Sequence, residues 1–208
     1  MRRGSWNGSL RRLPALAHAH DHSHDEHDEE DELRDAELAA RRRHALAQIR
    51  QYPDVALRMK ANEVSDFDDD LRHLVERMER LMEEAQGIGL AATQVGVLRR
   101  VFVFVPDEDG PRAVVNPRIT KSSGERETEE EGCLSLQGVR VPVERSTSVL
   151  LEGQDLDGRD IRYELEGMGS RVAQHESDHL DGVLIIDRTD EEHRKQALGI
   201  LRPQPVLR

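Results

Sequence analysis

The stretch AQHESDHLDG, residues 173–182, constrains this chain more than any other. Side chains four residues apart become neighbours when the backbone is helical, so His175 and His179 can act together only on a helix. Met168 and Val172 fall on the same face and Gly182 offers a stop, which predicts a helix over residues 168–181. On that face two imidazole nitrogens can reach one ion at about 2.0–2.1 Å. Glu176 is turned about 100° around the axis, where it can act as a base toward water instead of binding the ion.

A hydrolytic metal site usually has three protein ligands and an open fourth position. Cys133 is the candidate third ligand. It follows Gly132 in EEEGCLSLQGVR, ahead of a strand-like segment, so a turn can present its thiolate. The alternatives are plain: a lone cysteine is often a small buried hydrophobe, and two histidines on a charged helix can be mere surface. The acidic run ERETEEE before it argues against burial in apolar core and reads as a charged approach to the site. A third segment, QGIGLAATQVG at residues 86–96, has glycines that allow close backbone approach, small Ala91 and Ala92, and the neutral amide of Gln94. It lacks the GKS or GKT ending of a phosphate loop and the setting of a dinucleotide fold. As a helix-ending turn it would need no function.

Around these segments the pattern is α+β. Leu71, Leu74, Val75, Met78, Leu81, Met82 and Ala85 recur at steps of three and four, predicting an amphipathic helix over residues 66–86, capped by Ser65 or Asp66. Its methionines read as core. Strand-like segments follow: RRVFVFVP, AVVNPRI, VRVPVE, TSVLLEG and RDIRYELEG. A last helix is expected from Thr189, where TDEE offers a capping box.

The three motifs, GIGLAATQ at 87–94, EGCLS at 131–135 and QHESDHLDG at 174–182, resemble in order those of the peptide deformylase family. The likeness runs from about Ile49, where IRQYPDVALRMKA looks like the family's N-terminal strand and turn, to about Leu201. It implies antiparallel sheets packed around a central HExxH helix and removal of formyl from the N-terminal methionine of nascent polypeptides. It implies Cys133, His175 and His179 as ligands of Fe(II), with Zn(II), Ni(II) or Co(II) as replacements. Glu176 would be the base, and the Gln94 side chain with the Leu134 backbone N–H would stabilise the oxyanion. Substrate would pair with Ile88 and Gly89 on one side and with residues 136–140 on the other, Arg140 beside it, with Ile88, Met168 and Val172 walling a methionine pocket. Gly169 and Ser170 depart from the family, whose members more commonly carry larger apolar residues there.

The expected organisation is an N-terminal extension over 1–47, a catalytic domain over 48–201 and a tail over 202–208. Residues 1–20 are basic, a little like a targeting segment. Residues 18–32 are almost wholly His and acid and read as disordered, with His18, His20, His22, His24 and His27 as weak metal captors. A net charge of −12 argues against nucleic acid held by bulk electrostatics. No apolar run is long enough to span a bilayer, and one cysteine permits no internal disulfide, so a cytoplasmic setting is expected. The mildly basic C-terminal segment is a candidate ribosome contact. Two competing readings are an HExxH endopeptidase, disfavoured by a cysteine ligand, and a metal-binding or ribosome-associated protein acting through its His-rich tract.

Overall fold

A computed structural model describes residues 23–106 and 110–202, with side chains from residue 33 onward apart from that gap. The basic segment 1–20, His18, His20, His22, the side chains of His24 and His27, and residues 203–208 lie outside the described residues. Chain contacts group residues 1–37 as one unit and Leu38–Arg208 as another.

Helix α1 (Ser23–Leu46) begins inside the His/acid tract read as disordered and ends within the second unit. Arg43 and His44 occupy its last turn, where positive charge suits the helix dipole, and Ala45 and Leu46 anchor that end in the core.

The compact second unit starts at Leu38, ahead of the boundary at 47/48 that composition suggested. Ala45 and Leu46 are already buried in its core. Beyond them the expected N-terminal strand is absent: Val55–Arg58 forms a 3-10 turn, and pairing is confined to a bridge between Asn62 and Arg99. Pro53 supplies no N–H, and the Asp54 side chain accepts from Ala56 N at 2.9 Å, which favours a turn over a ladder.

Helix α2 (Asp69–Glu84) is capped by Asp68, which accepts from Leu71 N at 2.9 Å, rather than by Ser65 or Asp66. Its apolar stripe is buried, both methionines included, apart from the partly buried Leu74. Strands β1 (Gly89–Ala91), β2 (Val101–Phe104), β3 (Arg112–Ser122), β6 (Ser148–Gln154) and β7 (Asp160–Glu166) form one antiparallel sheet in the order β1-β2-β3-β6-β7. Strand β2 explains the layering. All four of its residues are buried, Val101 and Val103 in the cluster with α2 and Phe102 and Phe104 in the cluster with helix α3 (Gly167–Leu180). Helices therefore cover both faces, and α3 is the central one. The two phenylalanine rings meet edge to face at 5.4 Å, an arrangement worth about 0.5–1.5 kcal/mol beyond burial.

The second sheet pairs β4 (Arg126–Gly132) with β5 (Arg140–Ser146). The sequence hid β4, because RETEEEG has no apolar alternation; register with β5 along its whole length makes it a strand. This sheet, the turn Ile185–Asp187 and helix α4 (Glu191–Leu201) enclose a third apolar cluster. Helix α4 starts one residue later than the TDEE box implied, since Asp190 is the cap and accepts from His193 N at 3.0 Å.

Candidate metal centre

Two elements deliver the donor atoms. Strand β4 ends at Gly132, and the chain then folds through two tight turns, Leu136 N to Cys133 O at 3.0 Å and Val139 N to Leu136 O at 3.2 Å. Gln51 Nε2 donates to Leu134 O at 3.0 Å and Tyr52 N to Ser135 O at 2.9 Å, pinning that loop from the N-terminal side. Helix α3 carries the two imidazoles and is closed by Gly182 at φ 74°, as the sequence implied. Cys133 Sγ lies 3.2 Å from His179 Nε2, and ligand atoms of Cys133, His175 and His179 lie within 4.8 Å of one another. One thiolate and two imidazoles so disposed fit a first-row divalent ion.

Only His175 is aimed from behind; His179 Nδ1 has no hydrogen-bond partner among the described residues. Glu131 Oε2 is 3.0 Å from His175 Nδ1, leaving Nε2 to face the centre. Glu131 is itself gripped by Arg145 at 2.9 Å through each oxygen and by Arg171 Nη1 at 2.8 Å. Arg145 continues to Asp178 at 2.6 Å, and Asp178 to Arg188 at 2.6 Å. Burial alone would raise the Glu131 carboxyl; hydrogen bonds from His175 and Arg145, with the Arg145 charge, hold it well below the usual carboxylate range. Burial also opposes charge on His175, but the Cys133 sulfur and Glu131 outweigh it and hold the ring well above its ordinary value. His179 is held well below, by burial and then by the charge of His175.

Glu176 is 3% exposed, and its Oε2 has no partner among the described residues. Burial pushes its carboxyl up to about 7 against the opposing charges of His175 and Arg145. An unpaired buried carboxylate oxygen is costly, so its placement beside the three donors suits proton transfer better than stability. Gln94 Oε1 accepts from Ala91 N at 2.8 Å, while Nε2 donates to Ser135 Oγ at 3.1 Å and points at Cys133 Sγ from 3.7 Å.

The residues expected around substrate gather here. Ile88, Gly89, Leu134, Arg140, Met168 and Val172 line one cleft of about 670 Å³ that also reaches Gln94, Cys133, His175 and Glu176. Ile88 and Met168 are half exposed along this cleft. The departures Gly169 and Ser170 are buried in α3. Ser170 Oγ donates to Ser146 O at 2.9 Å, and a Cβ on Gly169 would meet Pro106 O and Leu165 at ordinary contact distances, so the site of Gly169 is not closed to a side-chain carbon.

In the run ERETEEE, read as a charged approach to the site, every residue is exposed except Glu131, which is buried. Sequence reasoning also missed Arg145, Arg171, Asp178 and Ser135. One available signal was a carboxylate two residues before the candidate cysteine ligand, since a metal-bound histidine usually needs an acceptor for its other nitrogen.

An HExxH helix packed under an antiparallel sheet, with a cysteine turn completing the donor set, defines a metal hydrolase of the α+β class. The profile of the polypeptide deformylase family matches residues 46–195. Peptide deformylase 1 of Corynebacterium glutamicum is 45% identical over 161 residues, spanning 76% of this chain and 95% of that protein. Among solved structures, Thermotoga maritima peptide deformylase matches at TM-score 0.66 and 46% identity, covering 68% of this chain and 96% of that one. Synechococcus elongatus peptide deformylase, in complex with actinonin, matches at TM-score 0.70 and 36% identity, covering 75% and 91%. The chain belongs to the peptide deformylase family, metal-dependent enzymes that remove the N-terminal formyl group from nascent peptides.

Proposed function

We infer that Cys133, His175 and His179 hold a divalent ion and that Glu176, Gln94 and Leu134 carry out deformylation of formyl-methionyl peptides beside it. The observation that carries this reading is the convergence of one sulfur and two ring nitrogens within 4.8 Å, next to a buried carboxylate with an unpaired oxygen. Such an ion supplies Lewis acidity, which makes water a competent nucleophile near neutral pH and polarises the formyl oxygen.

Glu176 takes the proton of the attacking water and returns it to the departing amine, a task suited to a carboxyl whose pKa burial has raised to about 7. The oxyanion is met by Gln94 Nε2 and the Leu134 N–H. Ser135 Oγ engages Nε2 at 3.1 Å, and the longer 3.7 Å approach to sulfur is the one that can be redirected toward developing charge. Substrate main chain pairs with Ile88 and Gly89, and Arg140 lies across the cleft. Among the four ions considered, Fe(II) is the family's usual metal, and a thiolate with Fe(II) makes the enzyme sensitive to oxygen. The proposed setting is the cytoplasm, on chains leaving the ribosome; no helix among the described residues is long and apolar enough to cross a membrane.

The test is formate release from formyl-Met-Ala-Ser by protein purified without oxygen. Glu176→Ala is expected to lose turnover while keeping its metal, and Cys133→Ser to lose the metal. An active Glu176→Ala enzyme overturns the assigned role.

A further inference from the structure

We propose that Arg42, near the end of α1, is a specificity-determining residue that favours an acidic side chain at the second or third position of the peptide. The inference rests on the function argued above and adds a residue that precedes the span matched by the family profile.

Arg42 and Leu46 line the same cleft as the metal centre. They are one helical turn apart, so they share a face of α1. Leu46 is buried in the core, which fixes that face against the domain. Arg42 Nε donates to Ala85 O at 3.2 Å, at the C-terminal cap of α2. That bond orients the side chain and does not use its two terminal nitrogens. Arg42 as a whole residue is exposed.

Its neighbours on that wall are Leu46, Gln86, Gly87, Ile88 and Gly89, all uncharged. The opposite wall is largely balanced within itself. Glu129 pairs with Arg171 at 2.8 Å and Glu131 with Arg145 at 2.9 Å, leaving Glu130 and Arg140 with opposite signs. Arg42 therefore sets the sign of the potential on the β1 side. Gly89 abuts Glu176, so the reacting end of a substrate lies at Gly89. β1 begins only at Gly89; ahead of it Ile88, Gly87 and Gln86, the last at φ 59°, carry the same wall of the cleft round to the end of α2, and an extended peptide paired at Gly89 and Ile88 leaves along that wall toward Arg42. At about 3.3 Å per extended residue, the second or third residue comes abreast of Arg42.

The experiment measures kcat/KM of the full-length holoenzyme, with Arg42→Gln and Arg42→Glu beside it, on formyl-Met peptides bearing Asp, Ala or Lys at the second or third residue. The wild-type Asp-to-Lys ratio is expected to fall about three- to fivefold in Arg42→Gln, the scale of one screened charge pair, and further in Arg42→Glu. Raised salt should shrink the wild-type ratio. Identical ratios in all three proteins at both positions overturn the proposal. So does a lowered Tm with equal losses on every peptide, which would make Arg42 only a strut between α1 and α2. Absence of formate release from every peptide by wild type would instead overturn the deformylase reading on which the proposal stands.

Discussion

Gly89 of β1 and Glu176 of α3 are in direct contact: a Cβ built on Gly89 would stand 2.8 Å from the Glu176 carboxyl carbon and 2.9 Å from Val172 Cγ1. Both distances are too short for real atoms, so a side chain there must displace the carboxylate, the strand or both. Gly89→Ala should lower kcat by about tenfold or more, because misplacement by about 1 Å can cost 10²-fold. Metal content, measured by elemental analysis, should be unchanged. An enzyme of normal kcat would mean that the carboxylate has slack.

The Glu131 carboxylate predicts how stability changes with acid. Its folded pKa lies below the ordinary 4.5, so the unfolded chain binds its proton more readily. Its contribution is complete above that ordinary value and is lost as pH falls toward the folded one. Glu131→Gln leaves Arg145 and Arg171 without their shared partner and should cost about 3–5 kcal/mol near neutrality. The gap between wild type and variant in urea melts should narrow below about pH 4.5. A gap that stays constant or widens as pH falls from about 4.5 contradicts this account.

Arg145 and Arg188 both bind Asp178 at 2.6 Å, yet their side chains differ in exposure, 5% against 48%. Exposed pairs contribute about 0–1 kcal/mol, while removing one member of a buried network costs about 3–5 kcal/mol. Arg188→Ala should therefore be nearly silent in thermal melts, and Arg145→Met should be severe. Because Arg145 also steadies the acceptor of His175, Arg145→Met should weaken metal affinity about 10- to 100-fold in a chelator competition. Equal effects of the two substitutions would remove the distinction drawn here from burial.

Much of this was legible in the sequence, for reasons particular to each element. The HESDH helix, the α2 stripe and the apolar strands declare themselves by period and by flanking glycines. Strand β4 does not, since its acidic residues mostly face solvent and its strand state comes from pairing with β5. The same opacity hid Glu131, one acid of a run of three, whose burial depends on arginines 14 and 40 residues away. Helix caps slipped by one to three residues because neighbouring Ser, Thr and Asp residues compete for each start, and local sequence cannot rank them once tertiary packing decides where the first turn lies.

Gln94 separates charge from hydrogen bonding at the proposed oxyanion site. Its amide donates to Ser135 Oγ at 3.1 Å and accepts from Ala91 N at 2.8 Å, so orientation is fixed at both ends. Gln94→Glu keeps the shape and the acceptor but replaces the donor with a carboxylate, which repels both the Cys133 thiolate and a developing oxyanion. Removing one such donor costs about 10²–10³ in rate, and the added repulsion acts in the same direction. The expected result is a kcat reduced by at least about 100-fold, with KM little altered, since the proposed main-chain pairing at Ile88 and Gly89 is untouched. Metal retention by Gln94→Glu separates loss of the donor from collapse of the centre. A variant that retains both metal and near-normal kcat would mean that Leu134 and the ion suffice without the amide.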